Sequence, residues 1–160
     1  RIGMSRAPKS VSWGRAPFGA NPTRHRRPPS PAMSHLPIHA PNLPNPVGPY
    51  SPAMAFERLI FVSGQGAVDP ATGQLSGPDA TSQTEQCLRN VQAILQAAGS
   101  DLQYVLRCGV FLVDMDEFKE MNAVYGRMFG DHRPARTTVE VSKLPREGLR
   151  VEIDCVAYRP

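Results

Sequence analysis

Three things that this sequence lacks narrow the classes of protein that it can encode. Its only cysteines, Cys87, Cys108 and Cys155, form an odd set without a CxxC pair and fall in apolar patterns. We interpret them as reduced packing residues rather than as disulfide or metal ligands. Only four histidines occur, and three of them precede residue 40, which leaves little from which to build a metal site. No run of 18 apolar residues is present, so we expect no membrane-spanning helix.

Acidic residues are missing from the first 32 residues, which hold six Arg and one Lys. The rest of the chain has 11 basic against 14 acidic residues, a net charge of −3, so the whole-chain charge of +4 comes from the start of the sequence. A dedicated DNA or RNA groove needs a basic face with interleaved aromatic residues, and the body of the chain has neither. We therefore expect no nucleic-acid partner, and an RNA-acting function draws support only from the basic start.

Residues 1–36 combine many prolines and arginines with almost no apolar periodicity, which predicts a disordered leader. The composition is that of an organellar transit peptide, but the prolines break the amphipathic helix that such peptides need. The stretch from Met33 looks like an independent start, so two alternatives remain: translated upstream sequence or a processed extension. We expect one folded domain over residues 37–160, and a cytoplasmic protein unless the leader is a genuine transit peptide.

Hydrophobic periodicity in the body predicts two helices among five or six strands. Alternating patterns predict strands at 53–56, 59–63, 104–113, 136–141 and 150–158. Helical spacing predicts one helix from about residue 81 to 98, with Ser82 and Glu85 spaced as a capping box, and a second helix over 114–129. Because each helix has a single apolar stripe, we predict an α+β domain in which both helices cover one face of a mixed sheet.

Strand alternation makes the uncovered face of the sheet the informative one. If Val139 and Ile153 face the helices, Arg136 and Glu152 emerge together on the uncovered face. A guanidinium matches a carboxylate as a planar fork of donors, so Arg136 is suited to hold an acid substrate. The alternative is a salt bridge across the sheet, for example to Glu140, and alternation alone leaves both open. A face that mixes apolar and charged residues in so small a domain is often buried by another subunit.

Several short strings, taken in their order and spacing, are more specific than any one residue. They are VGPYSPA at 47–53, FVSGQ at 61–65, NAVY at 122–125, PARTTVEV at 134–141, LP at 144–145 and VEID at 151–154. Together they span nearly all of residues 37–160. In this combination the sequence resembles the RidA family, the YjgF-like deaminases of reactive intermediates.

The resemblance implies a chorismate-mutase-like α+β subunit with a six-stranded mixed sheet, assembled as a homotrimer with sites in the clefts between subunits. It implies hydrolysis of 2-aminoacrylate-type enamines and of 2-imino acids, such as 2-iminopropanoate and 2-iminobutanoate, to 2-keto acids and ammonia. No metal or coenzyme is expected. The family's arginine falls on Arg136, which would hold the substrate carboxylate, and its glutamate falls on Glu152, which would handle the attacking water.

Five more positions become candidate substrate-binding residues through the resemblance: Tyr50, Ser63, Gly64, Asn122 and Thr138. Tyr50 has an alternative as a turn residue, Gly64 as relief at a strand end, and Asn122 as a cap of local backbone. Thr138 stands where the family's best-known pattern has cysteine, so a thiol-based activity is not expected here. A ligand-binding or regulatory trimer that keeps the arginine without turnover is the alternative function.

Overall fold

The computed structural model describes residues 34–39, 46 and 48–160. Within them lie six strands and two α-helices: β1 His35–Ile38, β2 Ala53–Phe56, β3 Leu59–Gly66, α1 Ala80–Ala97, β4 Val105–Leu112, α2 Phe118–Phe129, β5 Ala135–Glu140 and β6 Val151–Tyr158. The strands form one sheet in the order β1-β2-β3-β6-β4-β5. Only the β4–β5 pair is parallel, and the other neighbours are antiparallel. The predicted mixed α+β sheet with two helices is confirmed.

Both helices bury their apolar stripes in one core. Leu88, Val91 and Leu95 of α1 and Met121 of α2 are fully buried, as helical spacing requires. They pack in the same cluster as the inward-facing residues of β6, which are Val151, Ile153, Cys155 and Ala157. No helix of the described residues covers the opposite face of the sheet. Among the helices that the structure describes, none combines the length and apolar character needed to cross a membrane.

Helix α1 begins at a different cap from the one that the sequence predicts. Asp79 is the N-cap, and its Oδ1 accepts a hydrogen bond from the Ser82 backbone N–H at 2.8 Å. Glu85, the predicted partner in a capping box, binds Arg89 at 2.6 Å and Arg127 at 2.9 Å instead. The capping-box prediction was wrong because a carboxylate three residues before Ser82 already satisfies the helix start.

Strand β1 lies at the edge of the sheet and starts two residues before the predicted domain boundary at residue 37. His35 pairs with Phe56 and Ile38 with Ala53 in an antiparallel register. Pro37 lies inside this strand, which only an edge position tolerates because proline cannot donate a ladder hydrogen bond. The leader predicted for residues 1–36 otherwise lies outside the described residues.

Candidate active site

Glu152 lies where two adjoining cavities meet on the sheet. The outer pocket, of about 370 Å³, is lined by Tyr50, Ser63, Gly64, Pro145 and Glu152. The inner pocket, of about 240 Å³, shares four of these residues and continues past the residues Pro46, Pro52, Val68, Asn90, Arg146 and Leu149. The structure thus brings four of the seven candidate residues, Tyr50, Ser63, Gly64 and Glu152, around one cavity system.

A β-bulge in β3 makes room for the Glu152 carboxylate. Val62 pairs with Cys155 and Gln65 with Ile153, so Ser63 and Gly64 together face Asp154 alone. In an unbroken register Gln65 would lie opposite Glu152, whereas the bulge places Gly66 there. A Cβ on Gly64 would lie 2.8 Å from the Glu152 Cδ, so only glycine leaves the carboxylate in place.

The bulge is fixed by hydrogen bonds to the segment before β2. The Ser63 N–H donates to the Pro52 carbonyl at 2.9 Å, and the Ser63 hydroxyl donates to the Ser51 carbonyl at 2.7 Å. The hydroxyl is therefore engaged with backbone while the residue lines the outer pocket. Ser63 holds the cavity wall and the bulge together.

Gly64→Ala is expected to lower the rate of any reaction that uses the Glu152 carboxylate by about 100-fold, because the new methyl group displaces that carboxylate by the order of 1 Å. Stability should change little, since the displaced group is the far end of a flexible side chain. Steady-state kinetics and thermal unfolding measure the two effects. Gly126→Ala is the matched control: nothing lies within 4 Å of its Cβ position, and we expect unchanged activity with a gain of about 0.5–1 kcal/mol from helix propensity. Full activity in Gly64→Ala would contradict a direct role of the Glu152 carboxylate in catalysis.

The electrostatic surroundings of Glu152 favour its protonated form more than water does. Burial raises the pKa of the Glu152 carboxyl, and the negative charge of Asp154 raises it further. Asp154 is held beside it by the Gly109 N–H, which donates to the Asp154 Oδ1 at 2.8 Å. A carboxyl whose pKa is raised is better suited to exchange a proton with water or a leaving amine.

The Arg136 side chain packs against one face of α2. Its Nη2 donates to the Asn122 Oδ1 at 2.8 Å, and its guanidinium carbon lies 4.6 Å from the ring centroid of Tyr125 and 5.7 Å from that of Phe118. Residues 118, 122 and 125 follow the i, i+4, i+7 spacing of one helix face. The aromatic rings orient the guanidinium, and its remaining N–H donors stay available for a carboxylate.

The prediction that Arg136 and Glu152 share the uncovered face was wrong. Arg136 pairs with Cys108 of β4, a buried residue, whereas Glu152 pairs with Phe111 of the same strand. Positions three apart on a strand point to opposite faces, so Arg136 is on the helix side and Glu152 on the open side. The open face instead receives Val139, which is 39% exposed.

Within one chain the two residues are therefore far apart. They lie two strands apart and three residues apart along β4, which puts their Cα atoms at roughly 14 Å from strand geometry. Their side chains also diverge to opposite faces. A small acid cannot contact both from a single chain.

Thr138 and Asn122 belong with Arg136 and not with the pocket. Thr138 pairs with Val110 and lies on the same side of β5 as Arg136. Its hydroxyl oxygen is buried without a hydrogen-bond partner among the described residues. The candidate residues thus divide into a glutamate half-site (Tyr50, Ser63, Gly64 and Glu152) and an arginine half-site (Asn122, Arg136 and Thr138).

The three cysteines lie in the core and not in either half-site. All are free and buried, and burial raises the pKa of the Cys108 thiol to about 11 and those of Cys87 and Cys155 further still. They remain thiols near neutral pH and are poor nucleophiles. Over the part of the chain that the structure describes, no group of three His, Cys, Asp or Glu residues is placed to hold a metal ion.

Sequence patterns alone missed several residues that shape the half-sites. Asp154 is not among the candidate residues, although its position two residues from Glu152 on β6 signals a shared face. Phe118 and Tyr125 are not among them either, and their helical spacing with Asn122 is the available sign of a stripe that supports Arg136. Leu149 and Val68 reach the inner pocket through loop conformations that carry no periodic signal.

Comparison with known sequences shows the family to which the chain is related. The family model described as Endoribonuclease L-PSP matches residues 40–159. A RutC family protein of Pyrococcus horikoshii is 45% identical over 122 residues, which are 76% of this chain and 96% of the relative. A human protein named 2-iminobutanoate/2-iminopropanoate deaminase is 39% identical over 116 residues, 72% of this chain and 84% of that protein.

The solved structures give the same picture at the level of the fold. The crystal structure of E. coli TdcF with bound serine has a TM-score of 0.73 to this chain at 33% sequence identity. It covers 78% of this chain and 99% of its own.

Proposed function

The chain belongs to the RidA and RutC family, whose sequence model is described as Endoribonuclease L-PSP, and from that membership we propose that it is an imine deaminase. It hydrolyses 2-imino acids and their enamine tautomers to 2-keto acids and ammonia. The observation that carries the proposal is the pair of half-sites: an arginine prepared for a carboxylate, and a half-buried glutamate with a raised pKa beside a cavity. The human relative named as such a deaminase supports the same chemistry.

We propose further that each site is completed by two copies of the chain. Arg136 and Glu152 lie on opposite faces of one subunit, so a substrate that needs both must bind where two subunits meet. The open face carries exposed apolar residues, among them Leu59 at 37%, Phe61 at 45% and Val139 at 39%, which a neighbouring copy would cover. A head-to-tail contact that closes into a ring provides such sites, and closure after three copies gives the homotrimer that we propose, with three equivalent sites.

In the first step of the proposed mechanism the substrate carboxylate binds Arg136 of the partner subunit through parallel N–H donors. Glu152 accepts a proton from a water molecule while the water oxygen forms a bond to the imine carbon. The C=N double bond becomes single, and the nitrogen takes up a proton from the solvent, which regains one when the hydroxyl proton leaves in the second step. The product is a carbinolamine with the hydroxyl and amino groups on the same carbon.

In the second step the carbinolamine loses ammonia. Glu152 returns its proton to the nitrogen, the C–N bond breaks, and the carbonyl of the 2-keto acid forms as the hydroxyl proton leaves. An enamine such as 2-aminoacrylate enters after it takes a proton at its terminal carbon to become the imine. Positioning and acid–base assistance from one carboxyl are sufficient for this reaction because free imines already hydrolyse in water.

RNA cleavage, which the family's description names, is less well supported in this chain. The basic excess lies in residues 1–32, and the remaining residues carry a net charge of −3. A backbone-binding nuclease gains most of its affinity from a basic surface. We therefore favour a small anionic substrate.

The test is to generate 2-iminopropanoate or 2-iminobutanoate with an amino-acid oxidase and to follow keto-acid release with and without the protein. We expect clear acceleration over spontaneous hydrolysis. Arg89→Ala is the control, because Arg89 is an exposed arginine that pairs with Glu85 on α1, outside both half-sites, and should leave the rate unchanged. If the wild type does not accelerate hydrolysis but binds keto acids tightly, the ligand-binding alternative is favoured. If Arg136→Ala is as fast as the wild type, the deaminase proposal is wrong.

A further inference from the structure

The inner pocket adds space to the glutamate half-site beyond what the reacting atoms of the substrate occupy. It begins at Glu152 and Gly64, where it adjoins the outer pocket, and continues between Val68 and Leu149. A 2-imino acid has three groups on its reacting carbon: the carboxylate, the nitrogen and the side chain. With the carboxylate directed to Arg136 of the partner subunit and the reacting carbon at Glu152, the inner pocket is left for the side chain.

The wall of the inner pocket is mainly apolar. Apart from Glu152 and the glycines, its hydrocarbon side chains come from Pro46, Pro52, Val68, Pro145 and Leu149, and its polar side chains come from Tyr50, Gln65, Asn90 and Arg146. The Gln65 amide is engaged with backbone, because its Nε2 donates to the carbonyls of Ser63 at 2.9 Å and Gly64 at 3.2 Å. Asn90 is 3% exposed, and its amide is already engaged. The Asn90 Nδ2 donates to the carbonyls of Gly66 at 3.1 Å and Val68 at 2.9 Å, and its Oδ1 accepts from the Gln86 Nε2 at 2.8 Å. The amide therefore has no donor left for a polar substituent.

The loop that forms one wall is fixed before any ligand arrives. Gln83 is fully buried, its Nε2 donates to the Gly148 carbonyl at 2.8 Å, and its Oε1 accepts from the Arg150 N–H at 2.8 Å. Arg146 donates from Nη1 to the Gly73 carbonyl at 3.1 Å and ties the loop to the turn across the pocket. The pocket is preformed, so filling it costs little ordering of the protein.

The volume of the inner pocket exceeds what the smallest substrates need. A methyl group is close in size to a water molecule, whose share of the liquid is about 30 Å³, and the pocket holds about 240 Å³. We propose that the inner pocket is a subsite for an aliphatic substrate side chain, so that the protein prefers 2-imino acids with longer aliphatic side chains, such as that of leucine, over 2-iminopropanoate. This inference rests on the proposed deaminase function and names its substrate class.

The first experiment compares the wild-type kcat/KM for the imines formed from leucine and from alanine. Each methylene moved from water to an apolar site is worth about fourfold. The leucine imine has three more carbons, so we expect its kcat/KM to be higher by roughly 10- to 60-fold. In parallel, calorimetry should show tighter binding of 4-methyl-2-oxopentanoate than of pyruvate.

Val68→Phe tests the location of the subsite by filling it. The leucine-to-alanine ratio should fall to about one, while the kcat/KM for the alanine imine stays within about threefold of the wild type. Val68→Ala, which is less demanding on folding, should shift the preference toward a larger substrate such as the imine from phenylalanine. Arg89→Gln is the matched control, since Arg89 is exposed on α1 and does not line the pocket, so it should leave the leucine-to-alanine ratio unchanged.

The outcomes separate this inference from the proposed function. If the wild type hydrolyses both imines equally well and Val68→Phe slows them equally, the subsite is refuted and the deaminase stands. If the imine from glutamate is preferred and Arg146→Gln abolishes that preference, the pocket takes acidic side chains and the inference is likewise overturned. If no imine is hydrolysed faster, the deaminase proposal fails, and the two keto-acid affinities alone decide whether the subsite exists.

Discussion

Glu152→Gln is expected to slow imine hydrolysis by about 100- to 10,000-fold, the range that a positioned acid–base group contributes. The amide has nearly the same shape as the carboxyl but cannot accept the proton of the attacking water. Binding depends on Arg136 and the pocket walls, so the affinity for a keto acid should change little. Single-turnover kinetics and calorimetry on the same preparation separate the two effects.

The pH dependence of the wild type provides an independent check of the same role. Glu152 is active as the carboxylate, so kcat/KM should fall as the pH drops through its pKa. Because burial and Asp154 raise that pKa, the fall should occur above the ordinary value of 4.5. The residual activity of Glu152→Gln should lack this acidic limb. A Gln variant with wild-type turnover, or one that has lost keto-acid binding as well, would assign Glu152 a structural role instead.

Mixed oligomers are expected to recover activity that neither parent variant has. Arg136→Ala removes the carboxylate ligand and Glu152→Gln removes the base, so each homo-oligomer should be nearly inactive. When the two chains are co-expressed in equal amounts, a site is intact if its arginine comes from one variant and its glutamate from the other. In a closed ring with one contact between each pair of neighbours, about a quarter of the sites meet that condition.

The control for this experiment is each variant co-expressed with a differently tagged copy of itself, which should stay inactive. Co-purification through the two tags confirms that the chains assemble together. An inactive mixed oligomer would mean that one chain supplies both residues. The opposite faces of Arg136 and Glu152 in the subunit would then have to be reconciled with a different site.

The fold was predictable where periodicity is local, and less so where distant segments pair. Both helices and the last five strands lie within a few residues of their predicted bounds, because apolar residues recur at the helical or the alternating period. The insertion of β6 between β3 and β4 has no local signal, since it depends on contacts between distant parts of the chain. Strand β1 escaped prediction because Pro37 and its proline-rich surroundings are typical of irregular backbone.

For the site, the pattern placed Glu152 on the open face correctly and Arg136 incorrectly. The rule that apolar residues face inward holds for Ile153, which lies under the helices. It fails for Val139 in the edge strand β5, where the inward position belongs to a charged side chain that Tyr125 and Asn122 support. A guanidinium that packs against aromatic rings can lie on the helix side of the sheet. An exposed valine on the other side is expected if a second subunit binds there.

The bulge at Ser63 and Gly64 also divides β3 into two parts, which would otherwise share one pairing register with β6. Before the bulge, Leu59–Val62 pair with β6 in one continuous register. After it, the pairing with β6 is shifted by one residue. A slip of one residue in an ordinary strand would turn every following side chain to the wrong face. Here the offset is absorbed within two residues. An engineer therefore has a short segment in which the floor beneath Glu152 can be reshaped while the hydrophobic packing of the sheet is left as it is.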